Sequence, residues 1–315
     1  MQAPNPTRSY QSLWILLALV VCICLLISLE TFRPKHTQET LVAEAETAVI
    51  PSQQPSPTPE PVKEAEPTVT PGETPTPAPS ATERPLAQTA TENDPYPELY
   101  GDNPEQVFQP ADNQIVYLTF DDGPSTSTPM LLDVLREEGV TATFFVAGTS
   151  NFKRELLKRI HEENHVIGVH TLTHNYQYIY ESIENYLADF SAEYHQIWEA
   201  TGYRPRIFRF PGGSVNSKNK HLCRDLIWEM NRRGFVYFDW NVTSEDAVGV
   251  EDPKEQLAEL ITQSGNRPRI IALLHDSDQN PDIGWVVKEY IHHMRELGYR
   301  FESLDSTVAP MKFPF

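Results

Sequence analysis

Asp121 and Asp122 stand side by side where the run Val116-Tyr117-Leu118-Thr119-Phe120 gives way to Gly123-Pro124, and downstream His170 and His174 bracket Thr-Leu-Thr. One carboxylate and two imidazoles form a ligand set that suits zinc with a position left open for water, and the spare carboxylate could serve as a base. On an extended backbone neighbouring side chains diverge, so one aspartate can face a metal while the other faces a substrate. His170 and His174, four apart, would share one face of a helical turn. Each signal alone is weak. Asp-Asp-Gly-Pro is also a favourable turn, and ten histidines give such spacings by chance. His161, His165, His292 and His293 are read as surface or packing residues. The coexistence of the two pairs is what points to metal-assisted hydrolysis.

Further candidates lie in three later blocks. Arg209-Phe-Pro-Gly-Gly-Ser214 places a guanidinium ahead of a glycine turn whose backbone can approach a ligand closely. Arg209 could hold a carboxylate in bidentate fashion and keep Asp121 ionised. Asp239-Trp240-Asn241 offers a carboxylate and an aromatic wall, and Leu273-Leu274-His275-Asp276 an imidazole flanked by apolar residues. With an ordinary pKa near ~6.5, His275 is the natural general acid, and a neighbouring Asp239 would hold it cationic. Asn241-Val-Thr243 also reads as a glycosylation sequon, coincidental at this position.

The elements that must present these groups follow from periodicity. Short β-rich runs are expected at 115–120, 142–147, 165–169, 206–209, 235–238, 269–274 and 300–304. Helical patterns fill 129–138, 153–163, 183–200, 221–233, 253–263 and 285–297, several of them stopped by a glycine. Strands alternating with helices imply an α/β fold around a largely parallel sheet. About seven units suit either an open doubly wound sheet or a barrel short of eight. Both bind ligands beyond the carboxyl ends of the strands, where Asp121, Asp122, His170, Arg209, Asp239 and His275 fall.

Composition divides the 315 residues unevenly. Residues 13–29 carry no charge and reach the lower end of the bilayer-spanning range. No small-x-small cleavage pattern follows them, so the expectation is an uncleaved transmembrane anchor after a short segment 1–12. Arg8 on one flank and Arg33 and Lys35 on the other leave the charge rule almost neutral about orientation. Residues 30–110, rich in Pro, Thr, Glu, Ser and Ala, form an expected disordered linker, a semi-rigid stalk that cannot bury a core. A net charge of −19 argues against nucleic acid as a partner. Cys223 is the one cysteine after the apolar run, which excludes a disulfide or a cysteine cluster within residues 111–315.

The blocks TFDDGP, HTLTH, RFPGGS, FDW and LLH, in this order over residues 114–315, resemble the NodB-type polysaccharide deacetylases, carbohydrate esterase family four. The resemblance is nearest to bacterial peptidoglycan N-acetylglucosamine deacetylases. It implies a distorted (β/α) barrel of about seven strands, and a divalent metal held by Asp122, His170 and His174. Zinc is the first choice, with cobalt, manganese or nickel as alternatives. Asp121 would be the base oriented by Arg209, and His275 the acid tuned by Asp239. A backbone N–H near Gly212 would stabilise the oxyanion, and Trp240 and Leu273 would shape the acetyl pocket. The resemblance also implies a monomeric domain outside the cell membrane, acting on peptidoglycan or a related N-acetylated polysaccharide. An O-acetyl xylan-type esterase and a non-catalytic wall-binding relative are the alternatives. Many relatives carry an aromatic residue directly after the proline of the third block, where this chain has Gly212-Gly213. That change keeps a backbone donor but alters the cleft wall.

Overall fold

The computed structural model describes residue 90 and residues 93–101, 107–109, 113–148 and 151–314, all within one compact unit. The expected anchor at 13–29 and most of the expected stalk lie outside the described residues. Among the described residues no helix is long and apolar enough to cross a membrane.

Among the described residues eight strands form one sheet: β1 (Ile115–Asp121), β2 (Thr143–Ala147), β3 (Val166–Thr171), β4 (Ile207–Phe208), β5 (Val236–Tyr237), β6 (Val242–Thr243), β7 (Arg269–His275) and β8 (Arg300–Glu302). Seven follow the order β5-β4-β3-β2-β1-β7-β6, every pairing is parallel, and the sheet curls into a half-barrel. β8 pairs with the first half of β1, at Ile115–Tyr117, while β2 pairs with Thr119–Asp121. All seven expected strands are present. Sequence reading missed β6, Val242–Thr243, which follows the expected strand at 235–238 too closely to be read as a separate element.

Strands buried on both faces read as continuous apolar runs, and every residue of β1 and β2 is buried. Alternation then decides which face each side chain joins. Val116, Leu118 and Phe120 enter the larger core beneath the helices. Ile115 and Tyr117 join Phe145, Ile271 and Leu304 in a smaller cluster on the other face. By the same period Thr119 and Asp121 continue the face of that smaller cluster. Asp121 is in register with His275, so β1 and β7 end level with one another.

The helices are α1 (Thr128–Glu138), α2 (Asn151–Glu162), α3 (Tyr176–Ile179), α4 (Ile183–Thr201), α5 (Cys223–Arg232), α6 (Pro253–Ser264) and α7 (Ile283–Glu296). Six match the expected spans within two residues at each end, and α3 is additional. Side chains cap several starts, as the spare N–H groups of a first turn require: Ser182 accepts from Asn185 N, and Asp252 from Lys254 N.

Residues 93–101, which composition places in the linker, pack onto this unit. Leu99 is fully buried. Arg233 donates to the carbonyls of Pro95 and Tyr96 at 2.9 and 3.0 Å, and Arg206 to that of Leu99 at 2.9 Å. Asp94 pairs with Arg232 at 3.0 Å, and Glu98 accepts from Ser191 at 3.0 Å. Tyr96-Pro-Glu-Leu-Tyr100 brings the aromatic and apolar side chains that the preceding Pro/Thr/Glu tract lacks, which is why the chain settles here.

Candidate active site

Three side chains converge beyond β1 and β3. Asp122 follows β1 in the left-handed region at φ 72°, a conformation that aspartate tolerates better than most residues. The turn is clamped from β7, because the buried Asp276 carboxylate accepts from Ser125 Oγ at 2.5 Å and Thr128 Oγ1 at 2.6 Å. Gly123 is required there, since a Cβ would collide with that carboxylate. His170 lies within β3, whereas His174 lies beyond it in the turn before α3, at φ 51°. The expectation that the two histidines share a helical face is therefore corrected: a strand end and a turn bring them together. Asp189 of α4 holds that turn by accepting from Leu172 N at 2.7 Å and Thr173 N at 3.1 Å.

Potential ligand atoms of Asp122, His170 and His174 all lie within 4.8 Å of one another. Asp122 Oδ1 is 3.6 Å from His170 Nε2 and 3.4 Å from His174 Nε2. His170 Nδ1 faces the Arg209 carbonyl at 2.9 Å. A carbonyl only accepts, so the proton sits on Nδ1 and the Nε2 lone pair is left for a cation. Burial pushes the His170 pKa down to about 3, which keeps this imidazole neutral. Asp122 Oδ1 is buried without a hydrogen-bond partner. A carboxylate oxygen in that state costs free energy unless a cation faces it, so the donor set fits a divalent metal.

Asp121 is the second carboxylate. Its Oδ1 accepts from Arg209 Nη1 at 2.8 Å, and its Oδ2 lies 3.7 Å from His170 Nε2, on the side of the ligand cluster. Arg209 is fully buried; it also donates through Nη1 to Thr119 Oγ1 and through Nε to the Phe238 carbonyl, each at 2.8 Å. The contact to Asp121 uses one nitrogen, so the expected bidentate grip is corrected. Nη1 is shared with Thr119 on β1, Nε is drawn to the carbonyl beyond β5, and Nη2 is buried without a hydrogen-bond partner. Burial raises the Asp121 pKa despite the arginine beside it.

His275 ends β7, and its partner is not the one expected. Nδ1 meets Asp246 Oδ1 at 2.7 Å, while the His275 backbone N–H and Asn280 Nδ2 both donate to Asp246 Oδ2 at 2.9 Å. Burial works against charge on His275. The Asp246 hydrogen bond and the negative charges of Asp246, Asp121 and Asp122 outweigh it and raise the pKa to about 9. Asp239 is instead fully buried and accepts from Ser214 N at 2.8 Å, Ser214 Oγ at 2.5 Å and Phe313 N at 2.7 Å. It fastens the Pro-Gly-Gly turn to the C-terminal tail, which corrects its expected role beside His275. Asp246 follows the unrecognised strand β6. The available sequence signal was an acid three residues past the β-branched pair Val242-Thr243.

Gly212 and Gly213 sit at φ 72° and 86° in the turn after Arg209. A Cβ on Gly213 would press on Phe313 and Trp240, so the glycine permits the close packing seen there. Trp240 meets Phe313 edge to face at 4.8 Å and lies 5.6 Å from the Arg209 guanidinium. Leu273 is buried in register with Thr119. The cleft beside the cluster, about 690 Å³, is lined by Asp122, Lys153, Asp246, Gln256, His275 and Asp278 among others. Its lining does not include Gly212, Trp240 or Leu273. Asn241, in the sequon, has both ends of its amide engaged, with Arg269 O and Ile271 N.

Residues 108–229 match the family model described as polysaccharide deacetylase. YheN of Bacillus subtilis (strain 168), named for the same family, is 34% identical over 212 residues, covering 65% of this chain and 72% of that protein. The chain belongs to the polysaccharide deacetylase family. A peptidoglycan-N-acetylglucosamine deacetylase of Bacillus cereus (strain ATCC 14579) is 31% identical over 202 residues, 62% of this chain and 71% of its own. Among solved structures, the catalytic domain of peptidoglycan N-acetylglucosamine deacetylase from Eubacterium rectale ATCC 33656 is similar at a TM-score of 0.63. It is 30% identical and covers 66% of this chain and 96% of that one. The polysaccharide deacetylase model ends at residue 229, so it spans Asp121 to Gly212, and the fold alone brings Asp246 and His275 to the same rim.

Proposed function

We propose that this chain is a metal-dependent hydrolase that removes N-acetyl groups from N-acetylglucosamine residues of peptidoglycan or a related cell-surface polysaccharide, releasing acetate. One observation carries the reading. β1 and β7 end in register with a carboxylate held by a buried arginine and an imidazole held by a buried carboxylate, next to a three-residue ligand cluster. That is the complement amide hydrolysis needs: a base for water, an acid for the amine, and a cation between them.

Asp122, His170 and His174 would hold the divalent ion, zinc first. When bound, the ion supplies Lewis acidity to the carbonyl oxygen and lowers the pKa of water. Asp121 takes a proton through Oδ2 as the water oxygen bonds to the acetamide carbon. Arg209 keeps Oδ1 fixed, so the carboxylate does not rotate. Negative charge that moves onto the carbonyl oxygen is met by the Gly212 N–H. His275, protonated and oriented through Nδ1 by Asp246, passes a proton from Nε2 to the sugar nitrogen as the C–N bond breaks, leaving acetate and a free amine.

The names of the relatives support a peptidoglycan substrate and, with it, a folded unit outside the cell, and the uncharged run at 13–29 supports a single-pass anchor. Acetate release by the full-length chain from muropeptide glycans, chitin oligomers and acetylated xylan, with and without chelator, tests the chemistry. Metal-dependent release from N-acetylated polymers that Asp121→Asn abolishes is the expected result. Release from xylan alone replaces the reading with an O-acetyl esterase. Protease added to wall-stripped cells tests the topology, and protection of the folded unit overturns it.

A further inference from the structure

Tyr176 was not singled out by any motif, yet it stands between the ligand cluster and the glycine turn. Asn175 caps α3 by accepting from Gln177 N at 3.1 Å and Tyr178 N at 3.3 Å, which fixes Tyr176 as the first helical residue after His174. Its ring meets His174 edge to face at 5.2 Å and Tyr180 at 5.8 Å. Tyr180 Oη in turn donates to the Pro211 carbonyl at 2.7 Å, so α3 and the Pro-Gly-Gly turn are tied together. A Cβ placed on Gly212 would lie 2.8 Å from Tyr176 Oη. The phenol therefore reaches the volume that a side chain at position 212 would begin to fill.

Packing accounts for the ring but not for the hydroxyl. Tyr176 is half-buried, and its Oη makes no hydrogen bond among the described residues; neither does the Gly212 N–H. Two uncommitted donors thus lie side by side at the rim that holds Asp121, Asp122 and His174. Donors fixed before reaction are worth most where charge develops, because nothing must reorganise when it appears.

We propose that Tyr176 is a further catalytic residue of this site, its phenolic O–H donating to the acetyl carbonyl oxygen beside the Gly212 N–H. The proposal rests on the amide-hydrolysis reading given above. It also accounts for the tolerance of glycine at 212: the turn supplies the backbone donor, and α3 supplies the second donor together with the aromatic surface.

The test is Tyr176→Phe in the full-length, zinc-loaded chain, assayed on N-acetyl and N-trifluoroacetyl chitin oligomers. The hydroxyl has no partner to lose, so the variant should fold like its parent, which its melting temperature checks. Loss of one donor to the developing oxyanion should lower kcat on the order of 10²-fold on the acetyl substrate, with KM within about twofold. Fluorine draws charge away from the oxygen, so the deficit should shrink to below about 10-fold on the trifluoroacetyl substrate. Zinc affinity, measured by competition with a chelator, should be unchanged. An unaltered kcat, equal deficits on the two substrates, or weakened zinc binding overturns the assignment in favour of packing or ligand support. A parent that releases no acetate from any N-acetylated polymer overturns the functional reading and this inference with it. An active parent beside an equally active Tyr176→Phe overturns the inference alone.

Discussion

Asp246→Asn is the substitution that most directly separates the observed pairing from the expected one. It preserves shape but removes the charge and one acceptor from His275 Nδ1, 2.7 Å away. His275 stands at about 9, against an ordinary 6.5, and at 1.36 kcal/mol per unit this corresponds to about 3 kcal/mol in favour of the cation. A divalent ion on Asp122 cancels part of the nearby negative charge, so the value is a ceiling for the loaded enzyme. Without Asp246, burial is opposed only by the charges of Asp121 and Asp122, and His275 returns to about its ordinary 6.5. At pH 8 the protonated fraction then drops from roughly nine-tenths to a few per cent, a loss in kcat of about 30-fold, while at pH 6 the loss is at most about twofold. The assay is kcat on a soluble chitin oligomer between pH 5 and 10, with the alkaline limb moving down by about 2.5 units. The same raised pKa adds stability that is complete below about 6.5 and lost as pH rises through about 9, so the variant's deficit in melting temperature should narrow over that interval. An alkaline limb that stays in place in Asp246→Asn, or that moves instead in Asp239→Asn, refutes the assignment.

Three further outcomes follow from the geometry. Arg209→Met leaves the buried Asp121 carboxylate without its counter-charge and should destabilise by about 3–5 kcal/mol in urea unfolding; a cost under 1 kcal/mol would mean that solvent reaches Asp121. Zinc at about 1,000 times its Kd should raise unfolding free energy by about 4 kcal/mol. Asp122→Asn should remove most of that gain, and a full gain in the variant would place the ion elsewhere. A chain beginning at residue 111 loses the Leu99 anchor and the contacts that residues 94–100 make with Arg206, Arg232 and Arg233, and should be about 3 kcal/mol less stable than one beginning at residue 90. Equal denaturant midpoints would show that the packed segment contributes nothing.

How much of this was legible in the sequence depended on how local the determining contacts are. β1 and β7 declare themselves because buried parallel strands are continuous apolar runs, and the residue that ends such a run is by topology a rim residue. Asp121, Asp122, His170, Arg209 and His275 could all be located by that rule alone. Partner choice could not. Asp239 ends a strand as well, and nothing in Phe-Asp-Trp tells whether its carboxylate turns toward His275 or toward Ser214 and Phe313. The backbone N–H groups of Ser214 and Phe313 decide it, and one of them belongs to a tail 74 residues away. Asp246 was hidden for the complementary reason. Its strand has two residues, and its role arises only because β6 pairs with β7 and sets the following 3-10 turn, Asp246–Val248, against the end of His275's strand. Tyr176 belongs to the same class: its position comes from an asparagine cap and a glycine on another loop, neither of which marks a site alone. Strand ends thus announced which groups reach the rim, and side-chain-to-backbone contacts between distant loops determined what each one does there. The substitutions that discriminate between roles are accordingly the ones at Asp246, Asp239 and Tyr176, rather than at the residues the motifs already name.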